Sequence, residues 1–529
     1  MQPDPALTTL PDLLRTRASA EPDRPFVRFK ERAMTYGEFD ARTDQLSAGL
    51  ADLGVTDGDV VSVFLPNCLE FLEAWWAILK AGGVLGPVNP AYVGPEAAYV
   101  IEHSRAVAVV TDERGVGVLE PVRGELGRVA HVICIDDCGA GDLSLAAVVQ
   151  RGAGKAAPAP SRGLDDLASI LYTSGTTGKP KGAMLTHRNL LVNATQGAEL
   201  VPLGAGDRVG MLLPLFHANA QVVTCLIPMM IRCEVVMWER FSASKFWETV
   251  EQLQPVTISA VPTILAAVLN APNAPGRENS LRYIICGAAP LSVDLLEAFQ
   301  TKFGIRILEG YGLTETGCIS SVNPFYGARK VGSIGLPVRG QPMKIVGEDG
   351  SPVGNGEYGE IIIRGPNVMP GYLDNEAATA DSIRDGWLHT GDIGYVDDDG
   401  YFFIVDRTKD MIIRGGENIY PREIEEVIYQ HEGVLEVAVI GLPHEIRGEE
   451  VLAVVAPVDG YELDTDQLSA FVRLVPGAAA DEAELFDHVR GILAPHKTPR
   501  VWRFVTEFPM TGSGKVKKHA LRDEFPAAG

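Results

Sequence analysis

The chain has 529 residues, more than one hydrophobic core can organise and enough for two to four domains. Its 46 Lys and Arg stand against 69 Asp and Glu, and the formal net charge of −23 argues against nucleic acid or an anionic membrane as main partner. Its apolar stretches fall far short of a membrane span, and the start Met1-Gln2-Pro3-Asp4-Pro5 lacks the basic and apolar regions of a signal peptide.

The seven cysteines are odd in number and scattered. Cys134 and Cys138 have no second pair or nearby histidines, so zinc is not expected and the thiols read as reduced, in keeping with a cytoplasmic location. In chain order, residues 60–65 read as a buried strand, 69–79 as a helix, and 106–110 and 132–135 as further strands. The Ala-, Gly- and Pro-rich piece 152–160 reads as a linker between two such blocks. Beyond it come strands at Ile170-Leu171-Tyr172 and Ala183-Met184-Leu185, then at 208–213, 234–238, 257–260, 282–285 and 305–308. Helix-like segments such as 242–253 and 292–303 separate them, and this alternation implies parallel sheets covered by helices.

From about 330 to 405 short strands (343–346, 359–364, 400–405) sit between Asp/Gly turns, which suggests a small β unit, a distorted barrel. After Arg407 the pattern is mixed: helices at 422–429 and 482–493, strands at 434–440 and 451–457, and a loop or insertion at 459–480. That stretch reads as a separate C-terminal domain.

Between the strands at 170–172 and 183–185 lies Thr173-Ser174-Gly175-Thr176-Thr177-Gly178-Lys179-Pro180-Lys181-Gly182. Its glycines let backbone N–H groups approach an anion, its hydroxyls add donors and its lysines add positive charge, so it is expected to hold a polyphosphate. It is not the Walker pattern, because Gly175 to Lys179 is one step too short and proline follows that lysine.

Four more clusters share the theme. Tyr311-Gly312-Leu313-Thr314-Glu315-Thr316 follows a predicted strand, where open α/β sheets bind ligands; it offers an aromatic face for a base, a hydroxyl for phosphate and a carboxylate for Mg²⁺. Cys286-Gly287-Ala288-Ala289-Pro290 leaves room for a flat ring beside the backbone. Asp392, in His389-Thr390-Gly391-Asp392, could accept ribose hydroxyls, and Arg407 could donate to ribose or phosphate. Gly512-Ser513-Gly514-Lys515 presents one lysine on a glycine loop. Singly, the first two fit an ordinary turn equally well, and the last would more often be a solvated basic tail (Lys515, Lys517, Lys518).

Together they are matched in identity, order and spacing, and from about residue 10 to 525 the chain resembles the adenylate-forming (AMP-binding) superfamily, in its acyl-CoA synthetase and aryl-CoA ligase branch. The resemblance implies an α/β fold: a large N-terminal domain (1–406) of two helix-flanked parallel-type sheets plus a distorted β-barrel, a hinge (407–410, at Lys409) and a small mobile α+β C-terminal domain (411–529) carrying Lys515. It implies ATP and coenzyme A as co-substrates and Mg²⁺ as cofactor.

Carried over residue by residue, Thr173, Ser174, Gly175, Thr176, Thr177 and Lys181 would hold the β- and γ-phosphates. Glu315 would position Mg²⁺, and Thr314 would contact the α-phosphate. Gly287, Ala288 and Tyr311 would enclose the adenine, Ala289 and Gly312 would also belong to the nucleotide site, and Asp392 and Arg407 would fix the ribose. Lys515 would bridge carboxylate and α-phosphate in the transition state, then leave with its domain, after which Gly415 and Gly416 would let the pantetheine arm of coenzyme A pass. His217, in an apolar run where a lone histidine is more often a core residue, would orient the acid. The acyl pocket would include His217, Asn219, Gly310, Gly312 and Cys318, small or neutral groups suited to an uncharged fatty or aryl acid. An acceptor other than coenzyme A, a carrier-protein phosphopantetheine, stays open, as does a non-catalytic nucleotide-binding regulatory module. Monomer and homodimer are equally compatible with the sequence.

Overall fold

A computed structural model describes residues 7–136, 139, 141–173, 180–271, 274–289, 291–407, 410, 412–414, 417–431, 434–444, 448–455, 472–474, 482–493, 497–499, 501–505, 508–509, 516–518 and 520–521. Two large sheets dominate it. The eight-stranded sheet has parallel strands Val84–Pro87, Val60–Phe64, Ala108–Thr111 and His131–Cys134 side by side. Val60–Phe64, Val84–Pro87 and Ala108–Thr111 are buried at every position, as continuous apolar strands covered on both faces must be. The helix Leu69–Lys80 that follows the first of them is buried along almost its whole length, Trp75 and Trp76 included.

Strand Leu167–Thr173 returns to the same sheet beside Val84–Pro87 and forms an antiparallel hairpin with Lys181–Thr186, Thr173 facing Lys181. This corrects the linker reading of 152–160. That piece precedes a strand of the sheet already begun, because the pairing partner of Leu167–Thr173 lies some eighty residues back, beyond any local pattern. Residues 174–179 lie outside the described residues, so Ser174, Gly175, Thr176 and Thr177 are not placed.

The nine-stranded sheet is parallel through Arg306–Tyr311, Tyr283–Cys286, Thr257–Ala260, Arg208–Met211 and Glu234–Met237. An N-terminal hairpin, Pro25–Phe29 with Arg32–Thr35, joins its edge, and the short strands Ser321–Val322 and Leu336–Pro337 end the other side. Helix Leu10–Ala20 ties this start to the body: the Leu10 N–H donates to Nδ1 of His187, 3.1 Å away on the buried first turn of His187–Leu200. Burial pulls His187 down to about 4, so the ring is a neutral acceptor at neutral pH.

The expected distorted barrel is a five-stranded antiparallel sheet, with Met343–Val346, Gly359–Ile363, Trp387–Val396 and Ile383–Arg384 in order and Phe402–Arg407 also on Trp387–Val396. Six strands between Ile412 and Phe504 make a last sheet with its own buried cluster, which includes Ile412, Ile424, Val439, Leu485 and Trp502. Val472–Leu474, inside the stretch read as loop, is one of these strands and pairs with Val434–His444. At three residues it is too short for periodicity to mark. Lys409, Gly415, Gly416 and Lys515 lie outside the described residues.

Candidate active site

A cavity of about 840 Å³ opens where the parallel strands of the nine-stranded sheet end, with the hairpin of the eight-stranded sheet along one side. Its walls include Gly287, Ala288, Tyr311, Gly312, Thr314 and Glu315. Thr173, Lys181 and Arg407 join them, and so do His217, Asn219, Gly310 and Cys318. These residues come from five clusters spread over more than two hundred positions. Asp392 and Ala289 are not on the wall; Asp392 lies just behind it.

Close backbone approach explains the glycines here. A Cβ on Gly287 would stand 2.7 Å from the Gly310 carbonyl, and one on Gly312 only 1.5 Å from the Cys318 carbonyl. Ala288 adopts φ +69°, a left-handed conformation that costs an alanine on the order of 1 kcal/mol and that binding sites often retain. Strand Arg306–Tyr311 runs three residues further than the sequence suggested, so Tyr311 is the last residue of a strand and not a loop residue. Thr314 and Glu315 form a single 3₁₀ turn, and the Glu315 carbonyl accepts from Met369 N–H at 2.9 Å.

At one end of the cavity the charged groups are interlocked. Arg407 and Asp392 face each other across paired strands, Arg407 Nε 2.9 Å from Asp392 Oδ1, and the Tyr311 hydroxyl donates to Asp392 Oδ2 at 2.5 Å. Asp392 raises Arg407 above its ordinary value, while burial first and Asp392 second push the Tyr311 phenol up, so cation and phenol both stay protonated. The segment 389–391 is held by Glu360, which meets His389 Nδ1 at 2.7 Å and the Gly391 N–H at 2.9 Å. Sequence reasoning missed Glu360, and nothing around it in its strand marks it.

The other end is arranged differently. Tyr372, also missed, donates its hydroxyl to Glu315 Oε1 at 2.8 Å, and Lys181 Nζ rests 5.1 Å from the centroid of its ring. Tyr99 O–H holds the Pro180 carbonyl at 3.1 Å, just before Lys181. Among the described residues no group of three or more His, Cys, Asp or Glu could hold a metal ion. Glu315 alone suits Mg²⁺, which keeps several waters and takes one or two carboxylates together with substrate phosphates.

The remaining wall is largely apolar, with Leu200, Val223, Ile264 and Val322 among its residues. His217 caps the short helix Ala218–Gln221, which continues into a π-helical turn, Val222–Leu226, of a kind common at functional sites. Burial pushes the Cys318 thiol up to about 12, so it behaves as a small neutral group. The ionisable acids and bases on the described walls are Lys181, Arg407, Glu315 and His217, besides phenols and thiols.

Comparison with known proteins agrees with this architecture. The model of the AMP-binding enzyme family matches residues 14–373, and that of the AMP-binding enzyme C-terminal domain matches 423–515. A sulfoacetate–CoA ligase of Cupriavidus necator is 36% identical over 97% of this chain and 97% of its own length. A feruloyl-CoA synthase of Amycolatopsis sp is 37% identical over 96% of this chain and 97% of its own. The crystal structure of ATP-bound MatB from Rhodopseudomonas palustris superposes with a TM-score of 0.87 at 31% identity, over 98% of this chain and 99% of that one.

Proposed function

The chain belongs to the AMP-binding enzyme family, and from that premise we propose that its cavity joins a carboxylic acid to AMP and then passes the acyl group to coenzyme A. One observation carries this reading: charged groups suited to a nucleotide and an apolar chamber share a single cavity, with Thr314 and His217 both on its wall. A carboxylate is a poor electrophile, so its oxygen first attacks the α-phosphorus of ATP. The bond to pyrophosphate breaks and a mixed anhydride forms. A thiol then attacks the activated carbonyl and AMP leaves.

In the first step an anion approaches an anion, and charge neutralisation and alignment supply most of the rate. Lys181 and the loop 173–177 would bind the β- and γ-phosphates, Thr314 the α-phosphate, and Gly287, Ala288 and Tyr311 the adenine. Glu315 would hold Mg²⁺, which when bound adds positive charge to the phosphates. Arg407 would meet the ribose directly, with Asp392 fixing Arg407 and Tyr311 from behind. His217 would orient the acid. It need not act as a base, since a carboxylic acid is already ionised at neutral pH.

Lys515 would complete the cation set from the C-terminal domain and withdraw for thiolysis by rotation about 407–410. Two contacts at that junction would define one of the domain's positions: Arg422 N–H donates to Asp406 Oδ2 at 2.9 Å, and Arg422 Nη1 to the Ile404 carbonyl at 2.9 Å. No helix among the described residues is long and apolar enough to cross a membrane. The thiols of Cys68, Cys225, Cys233, Cys286 and Cys318, in no disulfide, support a cytoplasmic location.

Relatives named for sulfoacetate and for feruloyl-CoA show that the family's acids differ widely. Here the wall cations Lys181 and Arg407 are assigned to the nucleotide, and the acyl side is lined by Cys318, Val223, Ile264 and similar groups. An uncharged fatty or aryl acid fits that wall, because a second carboxylate buried there without a partner would cost several kcal/mol. The test is pyrophosphate release and product analysis over a panel of acids with Mg²⁺ and ATP, with and without coenzyme A. Apolar monocarboxylates should release pyrophosphate and give acyl-CoA. Turnover confined to acids with a second anionic group would refute the neutral-acid reading.

A further inference from the structure

We infer that Tyr372 is a positioning residue that holds Lys181 and Glu315, the cation and the carboxylate of the phosphate end, apart and aimed into the cavity before nucleotide arrives. The inference rests on the assignment of those two residues to ATP and Mg²⁺. A lysine and a glutamate on the wall of one cavity would ordinarily lower their energy by pairing, and each would then be unavailable to a ligand. Yet among the described residues neither Lys181 nor Glu315 forms an ion pair; each contacts Tyr372 instead. The phenol donates to Glu315 Oε1 at 2.8 Å, and the ammonium lies 5.1 Å from the ring centroid.

The backbone builds this arrangement. Strand Gly371–Tyr372 pairs antiparallel with Lys181–Thr186, Tyr372 opposite Ala183, which anchors the ring next to the hairpin that bears Lys181. Tyr372 N–H donates to Thr379 Oγ1 at 2.9 Å, and its residue is 9% exposed, so the ring has one seat. A phenol ordinarily ionises only at about pH 10, so Tyr372 is a neutral donor at neutral pH. A neutral donor fixes one carboxylate oxygen without cancelling its charge, while the ring face holds the ammonium by a contact weak enough for phosphate to displace.

The experiment measures ATP binding by calorimetry, with and without Mg²⁺, in Tyr372→Phe and Tyr372→Leu. The Phe variant keeps the ring under Lys181 and loses only the donor to Glu315. It should weaken Mg²⁺-dependent ATP binding about tenfold, the loss typical of one hydrogen bond to a charged group, and leave Mg²⁺-free binding unchanged. The Leu variant should weaken both. On a Glu315→Ala background, Tyr372→Phe should add no further loss, since the phenol acts through that carboxylate. Binding by Tyr372→Phe equal to wild type would overturn the role, and so would fully additive losses in the double variant. A Phe variant that unfolds at lower temperature but binds normally would make the phenol a packing group and overturn it as well. Lys181→Ala and Glu315→Ala separate the levels: if both bind Mg²⁺ and ATP like wild type, the phosphate-end assignment falls together with the inference.

Discussion

The two charged ends of the cavity use similar residues in opposite ways. At the ribose end Arg407, Asp392 and Tyr311 satisfy one another, with Asp392 only 3% exposed behind the wall. At the phosphate end Lys181 and Glu315 are held separately by Tyr372. A paired, buried carboxylate fixes the shape of the wall; a lysine and a glutamate kept from pairing retain their charge for a ligand. The first end is bound up with stability, the second with binding and rate.

The largest effect should come from outside both ends. Lys515→Ala should cut adenylate formation by roughly 10²–10³, as loss of one aimed charge does in other active sites, and spare thioester formation from supplied acyl-adenylate. Equal losses in the two half-reactions, assayed apart, would count against a lysine that serves only the first step.

The contrast between the ends sharpens next. Lys181→Ala should slow adenylate formation by about 10² while leaving the thermal midpoint close to wild type, because no ion pair of the described fold depends on its charge. Asp392→Ala should lower both, since it strips the buried Tyr311 hydroxyl and Arg407 of their shared acceptor, at about 1–3 kcal/mol. Matched thermal and kinetic profiles for the two variants would erase the distinction.

A further effect is set by pH. The folded-state value of His187 is depressed from 6.5 to about 4 by burial. Its contribution to stability is therefore complete above about pH 6.5 and lost as pH falls through about 4, up to roughly 3 kcal/mol in all. Urea unfolding from pH 7.5 to 4 should show this loss in wild type and its absence in His187→Gln. A variant with the same slope would transfer the loss to another group.

Much of the site was legible in the sequence because its glycines and charged side chains sit in short runs whose chemistry is local. Lys181, Glu315, Thr314, Gly287 and Arg407 reach one cavity as that reasoning requires. Glu360 and Tyr372 were not legible. Each acts on a partner 29 to 191 residues away in sequence, and neither has a neighbour that betrays it. The same cause misread 152–160 as a boundary, since only the tertiary pairing of Leu167–Thr173 with Val84–Pro87 keeps that piece inside one sheet. Conversely the strands at 60–65 and 257–260 emerged nearly as predicted, because burial on both faces makes their apolar runs continuous. That Asp392 lies behind the wall was not legible for a related reason: sequence marks a carboxylate but not what already occupies its oxygens.

The most direct test of the account is acid-dependent exchange of labelled pyrophosphate into ATP, measured without coenzyme A in wild type and in Lys181→Ala. Exchange that requires both Mg²⁺ and an apolar monocarboxylate, and that collapses in the variant, is the predicted result. Exchange absent with every acid, or ATP cleaved to ADP and phosphate instead, would contradict an adenylating site.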